Sequence, residues 1–62
     1  MKLFDVVELV VDVPEEGLRA GAVGTIVDEY TESQQFEVEF TDGNGRTIAL
    51  MALRSDQLQP TV

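Results

Sequence analysis

Apolar and polar residues alternate most regularly near the middle of the chain. Between residues 36 and 41, two phenylalanines and a valine alternate with two glutamates and a threonine. This period of two is typical of an antiparallel strand with one face on the core and the other in water. The pattern therefore predicts a central strand that buries Phe36, Val38 and Phe40, and each phenylalanine would contribute about 1.5–3 kcal/mol through burial.

A second apolar stretch, rich in β-branched residues, covers residues 4–11 and predicts the first strand. Its apolar positions do not alternate cleanly with the acidic ones, so neither face of this strand is expected to be fully wet. We expect Val7 and Leu9 to reach the core, and Val6 and Val10 to pack on the other side.

Two glycines, Gly21 and Gly24, stand three residues apart before a β-branched run that predicts a strand over residues 23–30. Gly21 ends a polar loop, where a turn requires a permissive backbone. Gly24 lies inside the strand, where a glycine marks a bulge, a bend or a close crossing. A phosphate-binding loop is the alternative, but such a loop opens a helix, and no lysine follows these glycines. Both glycines are therefore predicted to be structural.

The segments between these strands are polar. Residues 13–21 predict a long loop in which Leu18 folds back over the core, and residues 31–34 predict a hairpin connection. Glu15 and Glu16 of the long loop suggest half of a metal site. Adjacent carboxylates without a neighbouring Asp or His ligand are, however, typical of a solvated turn.

The turn after the central strand decides which residues of the next strand face the core. Residues 42–45, Asp-Gly-Asn-Gly, predict a hairpin turn. They also resemble the start of a calcium-binding loop, but the bidentate Glu that would close such a loop is missing. A three-residue loop, with Gly45 in the left-handed region as a bulge, predicts two cross-strand pairs. These pairs are Phe40 with Ile48 and Val38 with Leu50. A loop with an even number of residues would instead bring Ala49, Met51 and Leu53 to the core side.

We favour the three-residue loop, because it buries two bulky aliphatic side chains and explains why residue 45 is glycine. Met51 and Leu53 would then be only partly covered. Residues 48–53 are apolar on both faces, so the long loop or another chain must cover the second face. Residues 55–58 predict a short 3-10 turn with Leu58 pointing inward, followed by a short final strand over residues 59–62.

Composition weighs against catalytic and metal-binding chemistry for this chain by itself. At 62 residues we expect one domain, 1–62, with one core. The absence of Cys and His removes thiolate metal ligands and the commonest general base. Glu37 and Glu39 would lie about 7 Å apart on one strand face, within glycosidase range, but that chemistry needs a cleft rather than an open sheet. We therefore expect no enzyme, no metal and no cofactor.

The charge of the chain distinguishes between nucleic-acid binding and protein binding. Twelve acidic residues against four scattered basic ones give a net charge of −8. A nucleic-acid groove needs clustered Lys and Arg, so the charge weighs against direct nucleic-acid binding. It favours a protein partner with a basic surface, or solubility alone. The candidate protein-binding residues are Glu29, Tyr30, Glu37, Glu39, Met51 and Leu53.

The sequence predicts neither a secretory signal nor a membrane span. Asp5 interrupts the first apolar residues, and no stretch of about 20 apolar residues follows. We therefore expect a cytoplasmic protein.

Several spaced motifs carry a resemblance to known families. The motif Gly21-x-x-Gly24-x-Ile26-Val27, followed by Phe36-x-Val38-x-Phe40, resembles the core of KOW-type and other SH3-like barrels. Over nearly its whole length, the chain more fully resembles a family of short bacterial proteins, domain of unknown function 4926. Its further motifs are Asp5-Val6-Val7, Pro14-Glu15-x-Gly17-Leu18, Gly21-x-Val23-Gly24-Thr25, Glu37-Val38-Glu39-Phe40 and Asp42-x-x-Gly45-Arg46-Thr47.

The resemblance implies an all-β fold: a small, five-stranded SH3-like barrel with residues 13–21 as its long RT-type loop and a 3-10 turn before the last strand. It brings no established catalytic or binding residues. It also implies a larger partner gene nearby, as in a toxin–antitoxin pair.

The functional hypothesis is a non-catalytic, acidic protein-interaction module, such as the antitoxin or regulatory member of a two-protein pair that binds a larger basic partner. The alternatives are a KOW-type nucleic-acid or ribonucleoprotein-associated barrel and a nucleic-acid mimic. We expect no membrane association, and a homo-oligomer through the apolar fourth strand is a further hypothesis.

Overall fold

The computed structural model describes residues 1–61 and consists of five antiparallel strands in one sheet. Two short 3-10 turns lie in the connections between strands, the first at Pro14–Glu16 and the second at Ser55–Gln57. Residues 1–61 contain no α-helix. The strands are β1 (Val6–Leu9), β2 (Val23–Tyr30), β3 (Gln35–Thr41), β4 (Thr47–Arg54) and β5 (Leu58–Pro60). The predictions of an all-β fold and of a 3-10 turn before the last strand are confirmed.

The strands lie in the order β4-β3-β2-β1-β5. Strands β1 to β4 pair in succession, and β5 returns to pair with β1. The long segment 10–22 connects β1 to β2, whereas short connections join β2 to β3 and β3 to β4. Strands β4 and β5 are therefore the two edges of the sheet. The five-stranded sheet confirms one part of the fold prediction, whereas closure into an SH3-like barrel stays a prediction. The final strand was predicted over residues 59–62. In the structure it begins one residue earlier, at Leu58, and ends at Pro60, and Val62 lies outside the described residues.

The core lies on one face of the sheet. Its fully buried side chains include the predicted Val7, Leu9, Val38 and Phe40, and Leu18 and Leu58 are buried as well. Phe36, predicted to be a third core residue of β3, is partly buried and packs against this cluster.

The first strand is shorter than predicted, and its second face is open. Phe4 has φ 70°, which takes the chain out of the strand before Val6. Val10 follows the strand, and its N–H donates to the carbonyl of Gln57 at 3.0 Å. Val6 is 47% exposed and Val10 is exposed as well, so the prediction that they pack on the other side is wrong. The reason is that no element among residues 1–61 covers that face of β1.

Gly24 forms a close crossing, one of the three structural roles that its position in β2 predicts. It pairs with Phe40, and an added Cβ would lie 2.8 Å from the Glu39 carbonyl oxygen and 2.9 Å from Phe40 Cδ1. A side chain at this position would collide with backbone as well as with the ring, so β2 needs a glycine here. Gly21 also has the predicted turn geometry, with φ 97°, and its N–H donates to the carbonyl of Leu9 at 2.8 Å.

The hairpin between β3 and β4 has the predicted three-residue loop. The N–H of Asp42 donates to the Arg46 carbonyl at 2.9 Å, and Gly45, with φ 83°, donates to the Asp42 carbonyl at 3.1 Å. Thr41 accordingly pairs with Thr47. The loop prediction is confirmed.

The pairs beyond the loop differ from the prediction because a second irregularity follows it. Phe40 pairs with Ala49 rather than Ile48, and Val38 pairs with Met51 rather than Leu50. One extra residue, Ile48, is accommodated in β4 just after Thr47, and a bulge of this kind exchanges the two faces of the strand. The predicted pairs are therefore wrong.

The shifted register suits the size of Phe40. On β2 its neighbour is Gly24, and on β4 its neighbour is Ala49, so the large ring lies between two small residues. Consequently Leu53 enters the core at 4% exposure, whereas Ile48 and Leu50 remain 54% and 55% exposed. The even-loop alternative identified the correct core residues of β4, although the cause is a bulge and not the loop length.

Candidate docking surface

The outer face of the sheet, which points away from the core, carries a row of carboxylates. Glu37 and Glu39 alternate with the buried Val38 and Phe40 and are only partly exposed. Asp28 of β2 pairs directly with Glu37 and therefore shares this face. We call Asp28, Glu37 and Glu39 the acidic face.

A bulge in β2 places Asp28 on this face. The pairing of Ile26 with Val38 is followed by Asp28 with Glu37, so Val27 is an extra residue in β2. Without it, Asp28 would pair with Phe36 on the core side. Sequence reasoning missed Asp28 as a candidate, because no glycine or other residue preference marks the bulge.

The acidic face has no cationic counterpart among residues 1–61. Their only salt bridge joins Arg54 to Asp56 at 3.0 Å, beyond the end of β4. Asp28 and Glu37 are like charges on directly opposite residues, an arrangement that destabilises a sheet. The fold therefore keeps two like charges side by side on this face.

Neutral hydrogen-bond donors orient all three carboxylates, and the Glu29 N–H donates to Asp28 Oδ1 at 2.8 Å. The Tyr30 hydroxyl donates to Glu37 Oε1 at 3.0 Å, and the Thr47 hydroxyl donates to Glu39 Oε2. The pKa of Tyr30 is raised by its hydrogen bond to Glu37, then by desolvation and by the negative charges of Glu37 and Asp28. Tyr30 is therefore a neutral donor at neutral pH, and it fixes Glu37 without cancelling its charge.

An apolar strip borders the acidic face on the β4 side. Leu50 pairs with Glu39, and the bulged residue Ile48 lies near the same end of β4, both more than half exposed. Apolar side chains next to charged ones are typical of protein interfaces, where a desolvated centre is surrounded by polar contacts. Sequence reasoning placed these two residues in the core, and the only signal against that choice was that residues 48–53 are apolar on both faces.

The structure separates the six residues that the sequence suggested for partner binding. Glu37, Glu39 and Tyr30 lie together on the outer face. Glu29 pairs with Phe36 and so belongs to the core side of the sheet, where it is exposed at the end of β2. Of the two β4 candidates, Leu53 is buried and Met51 packs against the core, so the large exposed apolar residues of β4 are Ile48 and Leu50 instead.

Within residues 1–61 there is no group of three or more Asp, Glu, His or Cys side chains arranged to hold a metal ion. The acidic face presents anionic oxygen acceptors. It can accept hydrogen bonds and ion pairs from Lys or Arg side chains. Residues 1–61 contain no helix that is long and apolar enough to cross a membrane.

The fold and the outer face define the chain as a small all-β domain with an acidic, partly apolar surface. The chain belongs to the family described as Domain of unknown function (DUF4926), whose model matches residues 3–60. Comparison with curated proteins found no match, and comparison with solved structures found none either.

Proposed function

We propose that the protein is a non-catalytic interaction module that binds a larger protein through a basic surface. The observation that carries this proposal is the acidic face, three carboxylates without a cation among residues 1–61, bordered by exposed Ile48 and Leu50. A basic partner would relieve the repulsion between Asp28 and Glu37 and would cover the apolar strip. Both effects favour the complex over the free protein.

The charge of the whole chain supports the same conclusion. A net charge of −8 on 62 residues produces a negative field around the protein. Such a field accelerates encounter with a positively charged partner and disfavours association of two copies. Complementary charge also explains why the outer face keeps carboxylates beside apolar side chains.

The more specific form of the proposal is the acidic member of a two-protein pair, such as an antitoxin or a regulator that masks a basic toxin or enzyme. A masking protein needs a surface and no catalytic machinery, which fits a chain without His or Cys. The neighbouring reading frame tests this form directly. A recurring neighbour that encodes a larger basic protein is expected, and consistently unrelated neighbours would rule the pairing out.

Nucleic-acid binding of the KOW type has less support. The chain has four cations, and one of them, Arg54, is already paired with Asp56. A nucleic-acid mimic would use the same acidic face, but its partner would be a nucleic-acid-binding protein. Tight, salt-sensitive retardation of single-stranded RNA by the purified protein would overturn the choice of a protein partner.

Co-purification from the native host at low and high salt tests the proposal. The tagged wild type is compared with Glu37→Gln, which removes one charge of the acidic face, and with the control Glu32→Gln, which removes one from the exposed β2–β3 connection. We expect one basic protein with the wild type and with Glu32→Gln. Its recovery should fall with Glu37→Gln and above roughly 0.5 M salt, where charges are screened beyond a few Å. Equal recovery with all three proteins would contradict the proposal.

A further inference from the structure

The outward edge of β4 has unpaired backbone groups. Among residues 1–61, no backbone hydrogen bond joins residues 47–53 to any element other than β3. The N–H of Arg54 points away from β3 and donates to the side chain of Gln57 at 2.8 Å. Alternate residues of a strand present their backbone groups to the same edge, so those of Leu50 and Ala52 also point away from β3.

This edge lacks most features that protect natural sheets from pairing with another chain. Such features are short length, Lys or Pro in the edge strand, and inward-pointing charges. The other edge, β5, has three residues and ends in Pro60. In contrast, β4 has eight residues, and between Thr47 and Leu53 it contains no charge and no proline. Its one irregularity, at Ile48, leaves residues 49–54 regularly paired with β3.

An acidic wall lies beside this edge. Residues 51–54 of β4 line a groove of about 330 Å³ together with Asp12, Glu15 and Glu16 from the segment around the first 3-10 turn. None of these three carboxylates forms a salt bridge within the described part of the chain. The groove therefore brings three carboxylates close to the end of the β4 edge, where the one lining cation, Arg54, is already paired with Asp56.

We propose that the β4 edge binds an extended, cationic segment of the partner as an added strand. This inference deepens the proposed function and rests on it. Backbone groups of Leu50 and Ala52 supply the hydrogen bonds, as in other cases of strand addition. Glu15 and Glu16 select Lys or Arg side chains of the segment where it passes residues 51–53.

A second copy of the chain is a less suitable occupant. Pairing of two β4 strands would bring together two chains that each carry a net charge of −8, and this repulsion disfavours their association. A cationic segment avoids the repulsion.

Amide hydrogen exchange on the intact, isotope-labelled protein locates the added strand. The probe is a capped eight-residue peptide of alternating Lys and Thr. Its control has the same composition but alternates L and D residues, so it keeps the charge and cannot form a regular strand. We expect the L peptide to slow exchange of the Leu50 and Ala52 amides by roughly tenfold or more. The amides of Met51 and Leu53, which face β3, should change little.

Substitutions separate the contribution of the backbone from that of charge. Ala52→Pro removes an outward donor at an edge position that tolerates proline, whereas Ala52→Thr keeps the donor. We expect roughly tenfold weaker peptide binding for Ala52→Pro and little change for Ala52→Thr. Glu15→Gln/Glu16→Gln should weaken binding more than Glu37→Gln/Glu39→Gln, although both remove two charges.

Three results would overturn the inference. Equal binding of the two peptides, or equal weakening by the two double variants, would indicate diffuse attraction between charges. Binding without protection of the Leu50 and Ala52 amides would place the peptide elsewhere. Concentration-dependent protection of these amides in the free protein would show that a second copy occupies the edge. The proposed function fails separately, when co-purification yields no basic partner while the peptide still protects the edge.

Discussion

Strands β3 and β4 lie side by side in the sheet, yet their sequences specify their faces to very different degrees. In β3 each buried residue is followed by a polar one, so only one pairing places Val38 and Phe40 in the core. In β4 both faces are apolar, so either face satisfies the hydrophobic pattern. The comparison shows that alternation determines orientation only where one face is polar. Elsewhere, the fit of neighbouring side chains decides.

The largest expected effect concerns the core side of β3. Phe40 is fully buried, so Phe40→Ala should destabilise the protein by about 3–5 kcal/mol, enough to leave a small domain largely unfolded. Phe4 is the matched control, because it is 70% exposed and Phe4→Ala should cost less than about 1 kcal/mol. Urea denaturation measures both. Similar losses for the two variants would contradict the assignment of Phe40 to the core.

The register of β4 is tested by a pair of leucines in the same strand. Leu53 is buried and Leu50 is exposed, so Leu53→Ala should cost about 2–4 kcal/mol and Leu50→Ala about 0.5 kcal/mol or less. The register without the bulge at Ile48 makes the opposite prediction. Thermal or urea unfolding of the two variants distinguishes them, and a larger loss for Leu50→Ala would restore the pairing of Val38 with Leu50.

The close crossing of β2 and β3 should also be sensitive. Gly24→Ala forces a methyl group against the Glu39 carbonyl and the Phe40 ring, which should destabilise by about 1–3 kcal/mol. Gly43→Ala is the control, since its added methyl group would meet no atom within 4 Å. We expect it to be neutral or slightly stabilising. If the two substitutions have equal effects on the urea midpoint, the crossing is looser than described.

The smallest effect is on the titration of Tyr30, the only tyrosine of the chain. Its pKa is raised above the ordinary 10.0 by the hydrogen bond to Glu37 first, then by desolvation and by the charges of Glu37 and Asp28. The stability contributed by this pair is complete below the pKa of an unfolded tyrosine. It is lost as pH rises through the higher folded value.

Phenolate absorbance measures this titration without interference, because the chain also has no tryptophan. The midpoint of the folded protein should exceed that of the urea-unfolded chain. Glu37→Gln should lower it by removing the charge, and Glu32→Gln should leave it unchanged. If the titration midpoint of Tyr30 in the folded protein is at or below that of the unfolded chain, Tyr30 does not form the hydrogen bond to Glu37.

Much of the fold could be predicted from residue pattern and turn chemistry. The sequence correctly predicted the bounds of β2, the left-handed Gly45, a structural role for Gly24 and the inward positions of Leu18 and Leu58. Each of these depends on local alternation of apolar and polar residues, or on a backbone position that calls for a particular residue type such as glycine. Local information was sufficient for them.

The two bulges could not be predicted, and they determine most of the candidate surface. The bulge at Val27 moves Asp28 onto the outer face, and the bulge at Ile48 turns Ile48 and Leu50 outward. Neither position is a glycine, and both residues are ordinary strand formers. The bulge at Ile48 allows Phe40 to lie between Gly24 and Ala49, an arrangement that involves three strands. No single segment of the sequence contains that information.

The most direct test of the proposed docking surface is a map of backbone amide shifts as the purified partner is added to the labelled protein. Our account predicts large changes at Asp28, Glu37, Glu39 and Leu50, which weaken together as salt is raised. The amide of Val7, in the core of β1, should change little. Changes confined to the turn at residues 42–45, or a response that salt does not weaken, would contradict it.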